Sequence, residues 1–159
     1  MAHPPVGRLA IIMDPHGKLQ YERSDIEGDA VVAVLGEGVS DDYLQMLQGQ
    51  GVSYCVAGAD GHDILKVFDI LGSTFGRRKV LLVGGGRING ASLKAGIIDE
   101  ISLMIYPGID GVSGVAGSFD RVGAKDEEPA QGQALRLEHV EKRQNGVLWL
   151  RYQIERSGL

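Results

Sequence analysis

Short apolar runs alternate, over the first hundred positions, with stretches in which apolar residues recur every three or four places. "RLAIIM" (8–13), "AVVAVLG" (30–36), "VSYCVAG" (52–58) and "KVLLVG" (79–84) each predict a strand, the second with β-branched residues and no charge. Between them the period lengthens. In "VSDDYLQMLQG", Ser40 suits the N-cap, Asp41 and Asp42 the first turn, and Tyr43, Leu44 and Leu47 an apolar face, with Gly49 or Gly51 as the stop. Residues 62–71 place Ile64, Phe68 and Leu71 at i, i+4 and i+7, with Gly72 ending that helix. "INGASLKAG" predicts a short helix stopped by Gly96. The alternation predicts a sheet with parallel strands and helices on both faces.

After Gly96 the period falls to two. In "IIDEISLMIYP", Ile97, Asp99, Ile101, Leu103 and Ile105 lie on one face and Ile98, Glu100, Ser102, Met104 and Tyr106 on the other. "ALRLEHVEKRQNGVLWLRYQI" reads as a hairpin about Asn145-Gly146, with Leu148, Leu150, Tyr152 and Ile154 on one face. Residues 107–134, rich in glycine, alanine and acids, form a long connection of the kind that is usually functional or mobile. The predicted fold is α/β, a mixed, mostly parallel central sheet with flanking helices and an antiparallel C-terminal hairpin. Its 159 residues fit one domain, 1–159, with a core of its own.

Composition narrows the function. A net charge of −5, with no basic cluster denser than Arg77-Arg78-Lys79, argues against a nucleic-acid surface. Neither a signal peptide nor a membrane-length apolar run is visible, so a cytoplasmic protein with no membrane partner is expected. The single cysteine, Cys55, excludes an intrachain disulfide and reads as a buried, inert thiol. The 24 glycines are the unusual feature, gathered mostly at the ends of apolar runs.

One of those ends is chemically suggestive. In "VLLVGGGRING" (80–90) a strand runs into glycines and then into a helix start, which aims main-chain N–H groups and a helix dipole at one point. Absent Cβ atoms would let a phosphate approach the main chain. Two known signatures almost fit. Gly84-x-Gly86-x-x-Asn89 lacks the third glycine of a dinucleotide fingerprint. Gly85 and Gly90 have P-loop spacing, but Ala91 stands where its lysine must be, which disfavours nucleotide hydrolysis. On composition alone, a phosphate cradle and a plain tight turn stand level.

Other candidates are weaker. "MDPHGKL" (13–19) offers Asp14, His16 and Lys18 after a strand, although a solvated turn accounts for it alone. Histidines 3, 16, 62 and 139 share no metal-ligand spacing, so no metal site is expected. "DGVSG" (110–114) has no strand leading into it, as a nucleophile elbow requires. Asp99 and Glu100 are strand neighbours that face opposite ways and cannot readily act together.

The segment "LLVGGGRINGASLKAGIIDEISLMIYPGIDG" (81–111) resembles the hallmark of the riboflavin-biosynthesis pyrimidine reductase family, the C-terminal reductase domain of bifunctional deaminase-reductases. Gly84, Gly85, Gly86, Asn89, Gly90, Ala95, Gly96, Asp99, Glu100 and Pro107 match its motif in spacing. "GRLAIIMDPHGKL" is similar to the family's strand and D-x-x-G-[KR]-L turn, and "GVLWLRYQIE" to its closing strand. Val83 stands where the family has a glutamate. The resemblance implies a dihydrofolate-reductase-like fold and NADPH as cofactor. It places Gly84, Gly85, Gly86 and Arg87, with Ile88 and Asn89, over the pyrophosphate. It places the turn of Asp14, His16 and Lys18 near the adenosine phosphate, and counts Leu35, at the end of the second strand, among the cofactor contacts.

The family also begins with a strand–helix–strand unit that carries much of the substrate pocket. This chain is expected to lack it before Gly7, and no catalytic residue is assigned for that reason. The activity so implied is NADPH-dependent reduction of a ribosylamino-pyrimidine phosphate by an enzyme expected to be a homodimer. Reduction of a pterin or folate-like substrate, and a non-catalytic nucleotide-binding or dimerisation module, are the alternatives.

Overall fold

The computed structural model describes residues 7–156 apart from 110, 116, 121, 122, 124 and 125. The chain forms two compact units, Met1–Leu81 and Leu82–Leu159. His3 and Asp110, weighed above as a metal ligand and as part of a nucleophile elbow, lie outside the described residues.

The first unit is built on one strand. β1 (Leu9–Met13), β2 (Asp25–Ile26), β3 (Asp29–Leu35) and β4 (Ser53–Val56) form its sheet, with α1 (Asp41–Gly49) before β4 and α2 (Ile64–Ser73) after it. β1 runs parallel to β3 along Ala30–Val34, β4 runs parallel to it along Val32–Leu35, and the two-residue β2 lies antiparallel beside its start. Val31 to Leu35 are all buried, because both faces of β3 are covered. Val32 and Val34 pack with Cys55, Ala57 and the α2 residues Val67 and Leu71. Val31, Ala33 and Leu35 pack with Val52 and the α1 residue Leu47. A continuous apolar run is what a two-sided strand needs.

The Ser40 signal acts as read, its Oγ accepting from the Tyr43 amide. α2 has a cap that the apolar spacing did not name, Asp63, whose carboxylate accepts from the Lys66 amide. α2 differs in detail: Val67 and Leu71 are its buried residues, and it runs through Gly72 to Ser73.

The second unit contains α3 (Gly86–Lys94), β5 (Glu100–Ile105), β6 (Gln133–Lys142) and β7 (Leu148–Arg156). These strands form an antiparallel sheet in the order β5-β7-β6. The β6–β7 hairpin turns through Asn145 and Gly146, both in the left-handed region at φ 59 and 77, which explains the dipeptide. The register puts Ile101, Leu103, Ile105, Leu148, Leu150, Tyr152, Leu135, Leu137 and Val140 on one face. A register shift between Leu137 and His139 lets Val140 follow Leu137 on that face despite its odd spacing.

The fold is therefore α/β with parallel and antiparallel pairing, but the strands fall in two sheets, all the parallel pairing being in the first and the second wholly antiparallel. The reason lies in "KVLLVG" (79–84), read as a fourth strand, which forms none. An apolar run becomes a strand only where an edge takes up its N–H and C=O groups, and this one has no ladder partner among the described residues. Leu81 and Val83 are 84% and 82% exposed.

Candidate functional site

Ligands of open parallel sheets bind beyond the carboxyl ends of the strands. In the first unit β1, β3 and β4 share that direction, so the segments after Met13, Leu35 and Val56 meet at one end. They are knitted by main chain. The Gly36 amide donates to the Pro15 carbonyl at 2.9 Å, and the Glu37 amide to the Gly58 carbonyl at 3.3 Å. A Cβ on Gly36 would lie 2.9 Å from the Pro15 oxygen, and one on Gly61 only 2.6 Å from Pro15 Cβ. Neither position has room for a side chain.

Asp14 organises the first of these segments. It is buried, and its carboxylate accepts from the amides of Lys18 (2.9 Å) and Leu19 (3.2 Å) and from the Tyr43 hydroxyl (2.5 Å). That is an Asx-type turn fastened to α1. The carboxylate is committed inward, and the groups the turn presents outward are His16 and Lys18, both exposed. Burial raises the Tyr43 hydroxyl well above its ordinary pKa, and the hydrogen bond to Asp14 adds to this. Burial also raises Tyr21 beside it.

Leu35 does not join the site. Its side chain is fully buried against α1 and its carbonyl accepts from Ala57, so the expected cofactor contact is corrected to a core role. The sequence reading had passed over the segment after β4. There His62 stands exposed, its ring nitrogen Nδ1 held 2.7 Å from the Asp60 carbonyl. Glycines 58 and 61, just past a strand end, were the available signal. Glu37, Asp41 and Asp60 stand exposed on the same group of segments. A groove of about 580 Å³ runs between residues 17–22 and α1, with Tyr21, Tyr43 and Met46 among its lining.

The glycine loop belongs to the second unit. Gly85 is the N-cap of α3, at φ −67 and ψ 174, and offers no side-chain cap. Ile88 and Asn89 donate to the Gly85 carbonyl, at 3.1 and 3.2 Å. The amides of Gly86 and Arg87 come before those first intrahelical bonds, where N–H groups point outward along the axis. The glycines have different neighbours. A Cβ on Gly84 would collide with the Ile88 side chain, on Gly86 with the Gly117 carbonyl, and on Gly90 with the Asp120 carbonyl. At Gly85 it would meet nothing within 4 Å. Arg87 is exposed at the same end.

Asn89 faces inward, its amide donating to the Ser118 carbonyl at 2.8 Å. Ile88 is half-buried. The other hallmark residues serve the framework. Asp99 pairs with Arg156 at 3.4 Å and Glu100 with Arg151 at 3.6 Å, fastening β5 to β7, while Pro107 packs on the hairpin glycine Gly146. Val83, in the place of the family's glutamate, is exposed. A second groove, about 480 Å³, lies at the hairpin end and is lined by Glu141, Lys142, Arg143, Gln144 and Val147. Glycine-loop residues line neither of these two grooves. No group of three metal-binding side chains occurs among the described residues.

A helix start of this kind, with glycines at 84, 85 and 86 and the strand at Glu100 after it, agrees with a known domain along most of its length. The sequence profile of the RibD C-terminal domain matches residues 8–149. The chain belongs to the RibD C-terminal domain family. Solved structures agree on the fold. A pyrimidine reductase-like protein from Corynebacterium diphtheriae superposes with a TM-score of 0.74 at 22% identity, over 92% of this chain and 60% of its own. RibD from Acinetobacter baumannii gives 0.69 at 22% identity, over 91% of this chain and 37% of its own. A putative riboflavin biosynthesis protein from Shewanella sp. PV-4 gives 0.53 at 15% identity, over 81% and 62%. The chain thus spans less than two thirds of the length of each of these proteins, and little more than a third of the Acinetobacter baumannii RibD. No helix among its described residues is long and apolar enough to cross a membrane.

Proposed function

We propose that this chain is the reductase part of a cytoplasmic riboflavin-pathway enzyme, which holds NADPH for reduction of a ribosylamino-pyrimidine phosphate. The observation that carries the reading is Gly85, an open N-cap on a nine-residue helix with no atom within 4 Å of where a Cβ would be. Neither φ nor packing demands a glycine there, and the open N-cap leaves the main chain accessible to a group arriving from outside. The bound cofactor would supply a hydride. The chain's own residues would bind and orient it. The Gly86 and Arg87 amides would donate to the pyrophosphate, and the absent Cβ at Gly85 would admit it to the main chain. The Arg87 guanidinium would add charge. In the first unit, the turn that presents His16 and Lys18 is by itself a second candidate for an anionic group. Asp14 would act indirectly, by holding that turn in shape.

Calorimetric titration with NADPH and NADH tests this. Tighter binding of NADPH is expected; equal affinities would sink the preference, and absence of binding the whole reading.

The exposed apolar face of the β5-β7-β6 sheet favours a second, compatible role as a homodimerisation module. Leu135, Leu137 and Val140 are each more than half exposed there, and contiguous apolar surface of this kind marks interaction sites. Sedimentation should show a dimer that Leu137→Glu converts to monomer; a wild-type monomer at high concentration would refute it.

A further inference from the structure

The long connection between β5 and β6 lies against the glycine loop, at Gly117 to Asp120. Four observations meet there. The Asp120 amide donates to the Gly86 carbonyl at 2.9 Å. The Asn89 side chain donates to the Ser118 carbonyl at 2.8 Å. The carbonyls of Gly117 and Asp120 occupy the space that Cβ atoms on Gly86 and Gly90 would need. Gly86, Asn89 and Gly90 are therefore used on one side of α3, while Gly85 stays open on the other.

We infer that residues 117–120 form a strap that positions the first turn of α3, with Asn89 and Gly90 as positioning residues rather than contacts to a ligand. The reasoning is geometric. A helix of nine residues without a side-chain cap frays at its first turn. The strap takes the Gly86 carbonyl, which belongs to that turn, and the side chain of Asn89, which starts the next. It thereby fixes the direction in which the Gly86 and Arg87 amides point. Gly90 is required because the strap crosses where its side chain would be. A turn held in advance binds an anion without first being ordered, and preorganisation of this sort appears as affinity. This rests on the nucleotide-binding reading above, but the strap itself can be tested without any nucleotide.

The test compares wild type, Gly90→Ala, Asn89→Asp and Gly85→Ala by amide hydrogen exchange of the free protein and by calorimetric titration with NADPH. In wild type the Asp120 amide should exchange slowly. Gly90→Ala, which lifts the strap, and Asn89→Asp, which removes the donor without changing size, should speed exchange at Asp120. Protection along β7 should persist in both. Both should bind NADPH about tenfold more weakly. Gly85→Ala should weaken binding while Asp120 stays protected, a separation that simple destabilisation would not give. Fast exchange of Asp120 in wild type would overturn the strap. Slow exchange in wild type, lost in the variants with NADPH affinity unchanged, would overturn its positioning role. Should wild type fail to bind NADPH while Asp120 is protected, the nucleotide reading fails, the positioning role falls with it, and the strap stands. If Gly90→Ala does not fold, Asn89→Asp carries the comparison.

Discussion

Replacing Gly85 by alanine separates a phosphate cradle from a plain turn. Gly85 sits at φ −67 and ψ 174, a conformation open to any residue, and its added methyl group would enter empty space. Alanine restricts the unfolded chain more than glycine does, which stabilises by about 0.4–1 kcal/mol at a tolerated position. Against this, alanine is a poorer N-cap than glycine by roughly 0.5–1 kcal/mol. The two effects nearly cancel, so the melting temperature should move by about 2 °C or less. A Cβ between the main chain and a phosphate should nevertheless weaken NADPH binding at least about tenfold, or about 1.4 kcal/mol. Gly86→Ala is the contrasting control. Its Cβ is driven onto the Gly117 carbonyl, an overpacking error worth about 1–3 kcal/mol, and melting should fall by roughly 2–10 °C. The assays are thermal unfolding without ligand and calorimetric titration on the same preparations. A folded Gly85→Ala protein with wild-type affinity would refute the reasoning, because nothing else in the structure requires glycine there.

Three further outcomes follow from the first unit. Tyr43→Phe removes a donor from the buried Asp14 carboxylate and should lower stability by about 1–3 kcal/mol in urea unfolding. Because the Tyr43 pKa is raised in the folded state, its contribution is present below pH 10, the unfolded value, and declines as pH rises beyond it. Wild type should therefore lose stability above pH 10 more steeply than Tyr43→Phe, and parallel curves would contradict this. Leu47→Ala empties a fully buried site beneath β3 and should cost about 2–5 kcal/mol, read from the urea midpoint. Cys55 is buried and its thiol pKa is pushed up by that burial, so a chromogenic disulfide reagent should react with it only after denaturant is added; fast reaction of the native protein would show the thiol to be accessible.

The elements visible in the sequence are those set by neighbours along the chain. Ser40, Asp41 and Asp42 announced α1, the uncharged run from Val31 to Leu35 announced a two-sided strand, and Asn145-Gly146 announced the hairpin. Each depends on a period or a cap spanning a few residues. The misreadings depend on distant partners. Residues 79–84 are as apolar as a strand, yet hydropathy does not say whether an edge exists to receive them. Phe68 and Leu71 both fit the helical spacing, but it is Leu71 that is buried, together with Val67, in the cluster on β3. At the site, the glycine run and the turn at 14–18 were legible as motifs, whereas the duties within them were not. Asp14 looks like any turn aspartate until Tyr43, twenty-nine positions on, is found at its carboxylate. Leu35 ends a strand and was placed beside the cofactor, while the packing of α1 puts its side chain in the core.

The joining of Pro15, Gly36 and Gly61 has a consequence for how this surface can vary. Loops past strand ends are ordinarily separate sites of change, each free to lengthen or to be exchanged while the framework stays fixed. Here the three share contacts too close for any to shift alone: a residue inserted beside Pro15 would displace an acceptor that Gly36 needs, and a side chain at Gly61 would push on both. Grafting one loop from a relative should fail where grafting all three succeeds. For selection as for design, this surface has three loops but a single unit of inheritance.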